Sequence, residues 1–192
     1  NVLHPDFETL LDSKKINADE KIRLTTLSIG AIIPDKFMEL AEKNEKCYAF
    51  YPHSIYQKYG VHLDGIKMDE WYDKLANDDE IEKKEINPRE LLTRIAQTQQ
   101  ESGYPYVVFI DSANEQHTLK DVGMIKMSNL CCEIFQYQTP SDIKGYGQVS
   151  DWGQDISCNL GSLNIANVMD NKDIEKTIDV AIRALTYVSD NT

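Results

Sequence analysis

The stretch Ser128-Asn129-Leu130-Cys131-Cys132-Glu133-Ile134 places an amide, two thiols and a carboxylate side by side, in a chain with four cysteines in all. In an extended backbone, successive side chains alternate between two faces. Asn129, Cys131 and Glu133 then share a polar, reactive face, and Leu130, Cys132 and Ile134 an apolar one. On that pattern Cys132 is a small packed thiol, a common use of unpaired cysteine, and Cys131 is the thiol set for chemistry. That chemistry is not thiolate attack. A neighbouring carboxylate raises a thiol's pKa and disfavours the anion that cysteine proteases and disulfide exchangers need. No histidine lies near in sequence to serve as its base. Glu133 is better suited to accept a proton from a substrate, and Asn129 to hydrogen-bond hydroxyl groups. Cys131 is left to act as a neutral thiol or a sulfur radical. The same spacing also fits a plain structural segment, core residues beside a cap or turn, because cysteine is usually a small buried hydrophobe.

The other cysteines are Cys47 and Cys158, the latter within Ile-Ser-Cys-Asn-Leu. Four thiols could form two disulfides, but 192 residues at 41% hydrophobic content hold enough core to do without them. Reduced thiols in a cytoplasmic setting are expected. Zinc needs paired Cys-x2-Cys spacings with further cysteines or histidines near by. The adjacent Cys131 and Cys132 and the scattered His4, His53, His62 and His117 do not supply them, so no metal site is expected and the histidines read as surface or satisfied polar residues. Twenty basic residues against 32 acidic ones leave a net charge of −12. Phosphate-backbone contact needs clustered Lys and Arg, so nucleic-acid binding is not expected, and a nucleotide would be handled as a small molecule in a pocket. No apolar run approaches the roughly 20 residues of a membrane span, and the first residues carry neither a basic leader nor an apolar signal core. The absent initiator methionine and the stop just after a helical pattern predict a piece of a longer protein.

Strand and helix patterns alternate in the elements that must position these groups. Residues 22–33 read as a strand with an irregular start, and 34–44 as a helix with Pro34 in its first turn and Asn44 at its end. A short strand is expected at 47–51, then brief helices within 52–60 and 67–78, the first closed by Gly60. The acidic and basic run 76–88 reads as a solvated link. Residues 87–103 are the best-signposted helix: Asn87 as cap, Pro88 in the first turn, Glu90 completing a capping box, Leu91, Leu92, Ile95 and Ala96 as buried stripe, Gly103 as terminator. The apolar run 106–111 predicts a strand buried on both faces. Residues 123–129 read as extended and 155–166 as strand then turn. Residues 173–190 read as a helix whose Ile174, Ile178, Ala181, Leu185 and Val188 step by four and three. Helix-then-strand order with short links predicts an α/β fold with at least partly parallel strands. Tyr104 and Tyr106 around Pro105 read as packing at a helix-to-strand junction, and Trp71 and Trp152 have no partners that suggest a cofactor site.

The block SNLCCEI, preceded by QQESGYPYVVFIDSAN and followed by DISCNLGSLNIANVMD, resembles the large (alpha) subunit of aerobic ribonucleotide reductases, most closely class Ib. DSKKINADEKIRLTTLSIGAIIPDKFMELA, FYPHSIYQKYG and INPRELL carry the resemblance over nearly the whole chain. It implies that residues 1–192 are a central segment of the catalytic barrel domain, truncated at both ends relative to the family. It also implies a ten-stranded α/β barrel with the catalytic cysteine on a central finger loop, which leaves strict alternation along 128–134 open. On this resemblance Cys131 carries the thiyl radical, Glu133 is the base for the 3′-hydroxyl and Asn129 bonds the ribose hydroxyls. Asn129, Leu130, Cys131, Cys132 and Glu133 together contact substrate. Cys158 is one of two redox-active cysteines, its partner outside this chain, with Ser157 and Asn159 beside it at the substrate site.

The implied activity is reduction of ribonucleoside diphosphates to deoxyribonucleotides for DNA synthesis. The implied setting is a homodimer of alpha, a metal-containing small (beta) subunit that supplies the radical, a thioredoxin- or glutaredoxin-like reductant, and ATP or dNTP effectors. The chain itself is expected to bind no cofactor. The radical-relay tyrosines, the substrate-phosphate loop, the C-terminal cysteine pair and most of the effector loops fall outside these residues, so the segment is expected to be inactive alone. The competing expectations are a radical reductase of another ribonucleotide reductase class and a non-catalytic fragment that binds nucleotide or a partner subunit.

Overall fold

Ala31 and Ile33 are fully buried while Gly30 and Ile32, which alternate with them, are not; this two-residue period marks a strand with one face on a core. In the computed structural model, which describes residues 1–170 and 172–191, that strand is β1 (Gly30–Ile33). The chain forms two compact units, Asn1–Tyr137 and Gln138–Thr192.

In the first unit, α1 (Phe7–Asp12) precedes β1, and α2 (Asp35–Lys43), β2 (Cys47–Phe50), α3 (Pro52–Tyr59) and α4 (Met68–Ala76) follow it. Next come β3 (Lys83–Ile86), α5 (Pro88–Ser102), β4 (Tyr106–Phe109) and α6 (Ile110–Gln116). β1 and β4 pair in parallel, Gly30 opposite Tyr106 through Ile33 opposite Phe109. Parallel partners require a crossover long enough to bring the chain back, and everything from α2 to α5 serves as that crossover. The core on the Ala31 and Ile33 side combines Phe37 and Leu40 of α2, Ile55 of α3, Leu75 of α4 and Leu91 and Ile95 of α5.

The expected helix punctuation is present. Asn87 accepts hydrogen bonds from the Arg89 and Glu90 amides, both at 3.1 Å, and Gly103, Gly60 and Asn44 end α5, α3 and α2 in the left-handed region. That conformation is open to glycine and tolerated by asparagine. The α2 N-terminus borrows its cap, the Asp35 amide donating to Asp111 Oδ2 at 2.8 Å.

Four expectations change. Only residues 30–33 of 22–33 form a strand; the preceding segment wraps around Lys14, a buried side chain that donates to the carbonyls of Leu24 (2.6 Å) and Leu27 and lies 4.4 Å from the Tyr104 ring centroid. The link 76–88 contains β3, antiparallel to β2 with Cys47 opposite Ile86. Its Lys and Glu residues suit a sheet edge, and Lys83 Nζ donates to the carbonyls of Ala76 and Asp78 at 2.6 and 2.9 Å. The strand expected at 106–111 ends at Phe109, where α6 begins. Residues 155–164 form no strand.

The second unit holds a hairpin of β5 (Asp142–Gly145) and β6 (Gln148–Asp151), then α7 (Ile165–Asp170) and α8 (Ile174–Asp190). None of its described residues is buried; along the expected α8 stripe Ala181 and Leu185 are half-buried, while Ile174, Ile178 and Val188 are exposed. The strands among the described residues form three two-stranded sheets and do not close a barrel. No helix among them is long and apolar enough to cross a membrane.

Candidate active site

Between α6 and Tyr137 the chain leaves regular structure, and this loop carries the thiol and carboxylate motif. Its outgoing limb is tied to α6 through Asn114: Nδ2 donates to the Ile110 and Ile125 carbonyls at 2.9 and 3.0 Å, and Oδ1 accepts from the Ile125 amide at 2.7 Å. Its returning limb brings the Tyr137 ring against Gly123, where a Cβ would meet ring atoms at 2.1–2.5 Å. Only glycine leaves room for that approach.

The tip is a turn, not a strand. The Cys132 amide donates to the Asn129 carbonyl at 3.1 Å, and Asn129 Oδ1 accepts from the Glu133 and Ile134 amides, both at 3.1 Å. Ser128 Oγ donates to the Ile134 carbonyl at 2.7 Å. These side chains offer the backbone local partners in place of a ladder, and Cys132 enters the left-handed region with φ 66°. Strict alternation therefore fails. Leu130, expected on an apolar face with Cys132 and Ile134, is 65% exposed, whereas Cys132 and Ile134 are half-buried. Cys131 and Glu133 are both exposed on this turn. The distinction between the two thiols survives, but the turn is its cause. Burial, and to a smaller extent the Glu133 charge, push the Cys132 thiol up, against a hydrogen bond from Ser128.

Under the tip lies a cavity of about 230 Å³ lined by Ser28, Gly30, Ile32, Tyr106 and Val108 from the β1–β4 side and by Met127, Ser128, Asn129, Leu130 and Cys132 from the loop. The face of the parallel pair opposite the helical core thus looks toward the motif. At its margin Tyr104 and Tyr106 pack edge to face, centroids 5.2 Å apart, with Ser28 Oγ 3.0 Å from Tyr104 Oη. The Ser28 hydrogen bond, then the Tyr106 one, lowers the Tyr104 phenol, and Tyr104 raises that of Tyr106; a Cys131 thiolate would raise both. The junction packing expected for these tyrosines therefore also borders the motif.

A second cavity, about 820 Å³, opens at the C-terminal ends of β1 and β4, with Asp35, Asp69, Asp111 and Asn114 among its walls. Burial and then Asp111 raise the Asp69 carboxyl. His117, read from sequence as satisfied or at the surface, has a buried Nε2 with no hydrogen-bond partner; the α6 fold carries it under cover. No group of three or more His, Cys, Asp or Glu among the described residues is arranged to hold a metal ion.

Asn129, Leu130, Cys131, Cys132 and Glu133 are thus brought together on one turn. Cys158 belongs to the second unit, exposed in the irregular run before α7, and the Asn159 amide next to it donates to Ser189 Oγ of α8. Cys47 is core, fully buried, with burial pushing its thiol up to about 11. Asn114 and Gly123 were not among the residues singled out by sequence. The available signal was an asparagine inside a short helix, where its side chain competes for backbone groups.

A family profile described as "Ribonucleotide reductase, barrel domain" matches residues 1–192. The chain is 49% identical over 192 residues to the ribonucleoside-diphosphate reductase subunit alpha of Bacillus subtilis, covering 100% of this chain and 27% of that protein. It is 44% identical over 187 residues to the subunit of the same name from Mycoplasma genitalium, covering 97% of this chain and 26% of that one. With the Synechocystis subunit alpha it shares 33% over 199 residues, 100% of this chain and 24% of that protein. The chain spans about a quarter of the length of these curated relatives.

Proposed function

This chain belongs to the ribonucleotide reductase barrel-domain family, and from that membership we propose that it is the central part of an alpha subunit, of the class Ib kind, that reduces ribonucleoside diphosphates by thiyl-radical chemistry. The observation that carries the reading is the turn 129–133, which presents the Cys131 thiol and the Glu133 carboxylate together, in a chain 49% identical to a protein named for that activity. In the whole protein the segment would contribute to a ten-stranded α/β barrel, with this turn as the tip of a loop inside it.

The roles are those that the family resemblance implies, and the chemistry of each group is compatible with them. A Cys131 thiyl takes the hydrogen atom from C3′ of the ribose. Glu133 accepts the 3′-hydroxyl proton, and the 2′-oxygen leaves as water with a proton from a thiol such as Cys158. Cys158 and a second cysteine outside these residues supply two electrons and become a disulfide. Cys131 then returns the hydrogen to C3′. One C–O bond is exchanged for a C–H bond, and two thiols are consumed for one disulfide and one water. Asn129, whose Oδ1 also accepts from the Glu133 and Ile134 amides within the turn, hydrogen-bonds the ribose hydroxyls. A metal-containing small subunit would supply the radical, a thioredoxin- or glutaredoxin-like protein would reset the disulfide, and nucleotides would regulate an alpha homodimer.

The test uses the complete alpha chain with its radical-supplying subunit. Cys131→Ser is expected to abolish deoxynucleotide formation while leaving nucleotide binding and thermal unfolding unchanged; any residual product overturns the assignment. Cys158→Ser is expected to permit hydrogen abstraction and to release abortive sugar products.

A further inference from the structure

We propose that Asn114 is a positioning residue for this reaction, its side-chain amide setting where the turn that carries Asn129, Cys131 and Glu133 stands; the inference rests on the reading given under Proposed function. Asn114 lies in α6, which continues directly from β4. Through Oδ1 and Nδ2 it engages both the amide and the carbonyl of Ile125, at 2.7 and 3.0 Å, while Nδ2 also donates to the Ile110 carbonyl at 2.9 Å. Both amide hydrogens are therefore used. The exchange with Ile125 reproduces what two opposed residues do in an antiparallel ladder, so one side chain takes the place of a strand. It fixes Ile125 in position and in direction, and the fully buried Ile125 side chain resists sliding.

The chain reaches Asn129 four residues later and Cys131 two beyond that. Bonds from Ser128 and to Asn129 make the tip a self-contained unit, and Tyr137 on Gly123 holds the returning limb. A tip that is stiff in itself moves mainly at its base, and on the outgoing limb the base is the Asn114–Ile125 pair. Reaction geometry is sensitive to displacements of about 1 Å, which can lower rates by on the order of 100-fold.

In the complete alpha chain with its radical-supplying subunit, Asn114→Ala is expected to lower kcat by roughly 10- to 100-fold and leave the KM for ribonucleoside diphosphate unchanged. Turnover of 3′-deuterated substrate should show a larger isotope effect on kcat than in the parent, because the hydrogen-abstracting thiol no longer stands in place. Asn114→Gln keeps both the acceptor and the donors on a side chain one methylene longer; its kcat is expected to fall less, and it carries the test if the alanine variant does not fold. An unchanged kcat, or a fall without a rise in isotope effect, overturns the proposal. Cys131→Ser in the same assay separates the two readings: a Cys131→Ser enzyme that still makes product removes the functional reading, whereas an inactive Cys131→Ser beside an undisturbed Asn114→Ala removes only the positioning role.

Discussion

Two adjacent thiols come to differ because the backbone turns between them. Cys131 is exposed at the turn, and Cys132 closes it with φ 66°, half-buried over the cavity floor. A left-handed backbone costs an L-residue about 1–2 kcal/mol and burdens β-branched side chains most. Cys132→Val is therefore expected to be less stable than Cys132→Gly by roughly that amount, read from urea midpoints of the two variants; equal midpoints would mean that the turn relaxes freely. The residue types of this motif were legible in the sequence, as was the more packed setting of Cys132 relative to Cys131. The face that each side chain takes was not, since it depends on Ser128 and Asn129 bonding their own backbone instead of a neighbouring strand.

Individual elements are joined by polar contacts that cross long stretches of chain. Asp78, in the turn after α4, accepts from Lys58 at 2.7 Å, from Tyr59 at 2.5 Å and from the Glu80 amide at 3.0 Å. Lys58, then Tyr59, then that amide hold its carboxyl down at about 2, below the ordinary 3.8. A carboxyl lowered on folding stabilises the folded state when ionised. Its contribution is thus complete above about pH 4 and is lost as pH falls toward about 2. Asp78→Asn is expected to unfold at lower urea than the parent at pH 7, with the gap closing between pH 4 and pH 2; a gap that stays constant with pH would show that the pairing does not stabilise. Helices whose signals are local were legible: α5 starts at Asn87 and ends at Gly103 as expected. The strand β3 was not, because its charged residues become a strand only through the backbone of β2.

At the scale of the whole molecule, the first unit is held by one core behind the β1–β4 pair, and Phe37 at its centre is fully buried. Phe37→Ala is expected to destabilise the chain by about 3–5 kcal/mol, measured by chemical unfolding; a loss below about 1 kcal/mol would mean that this core does not govern the fold. The apolar stripe of α8 shows the converse. Its period makes a helix, yet Ile174, Ile178 and Val188 remain exposed, because periodicity specifies a face and says nothing of what lies opposite it.

The sequence by itself determined the α/β alternation, the capped helices, the family resemblance and the clustering of Asn129, Cys131 and Glu133 on one short segment, since each is written in neighbouring residues. Only the tertiary structure decided that β1 and β4 pair across 76 positions, that residues 128–134 turn, and that Asn114 bonds Ile125, three residues before that turn, from another element. Those outcomes depend on groups distant in the chain meeting in space, and local propensity does not encode which distant partner a backbone will find.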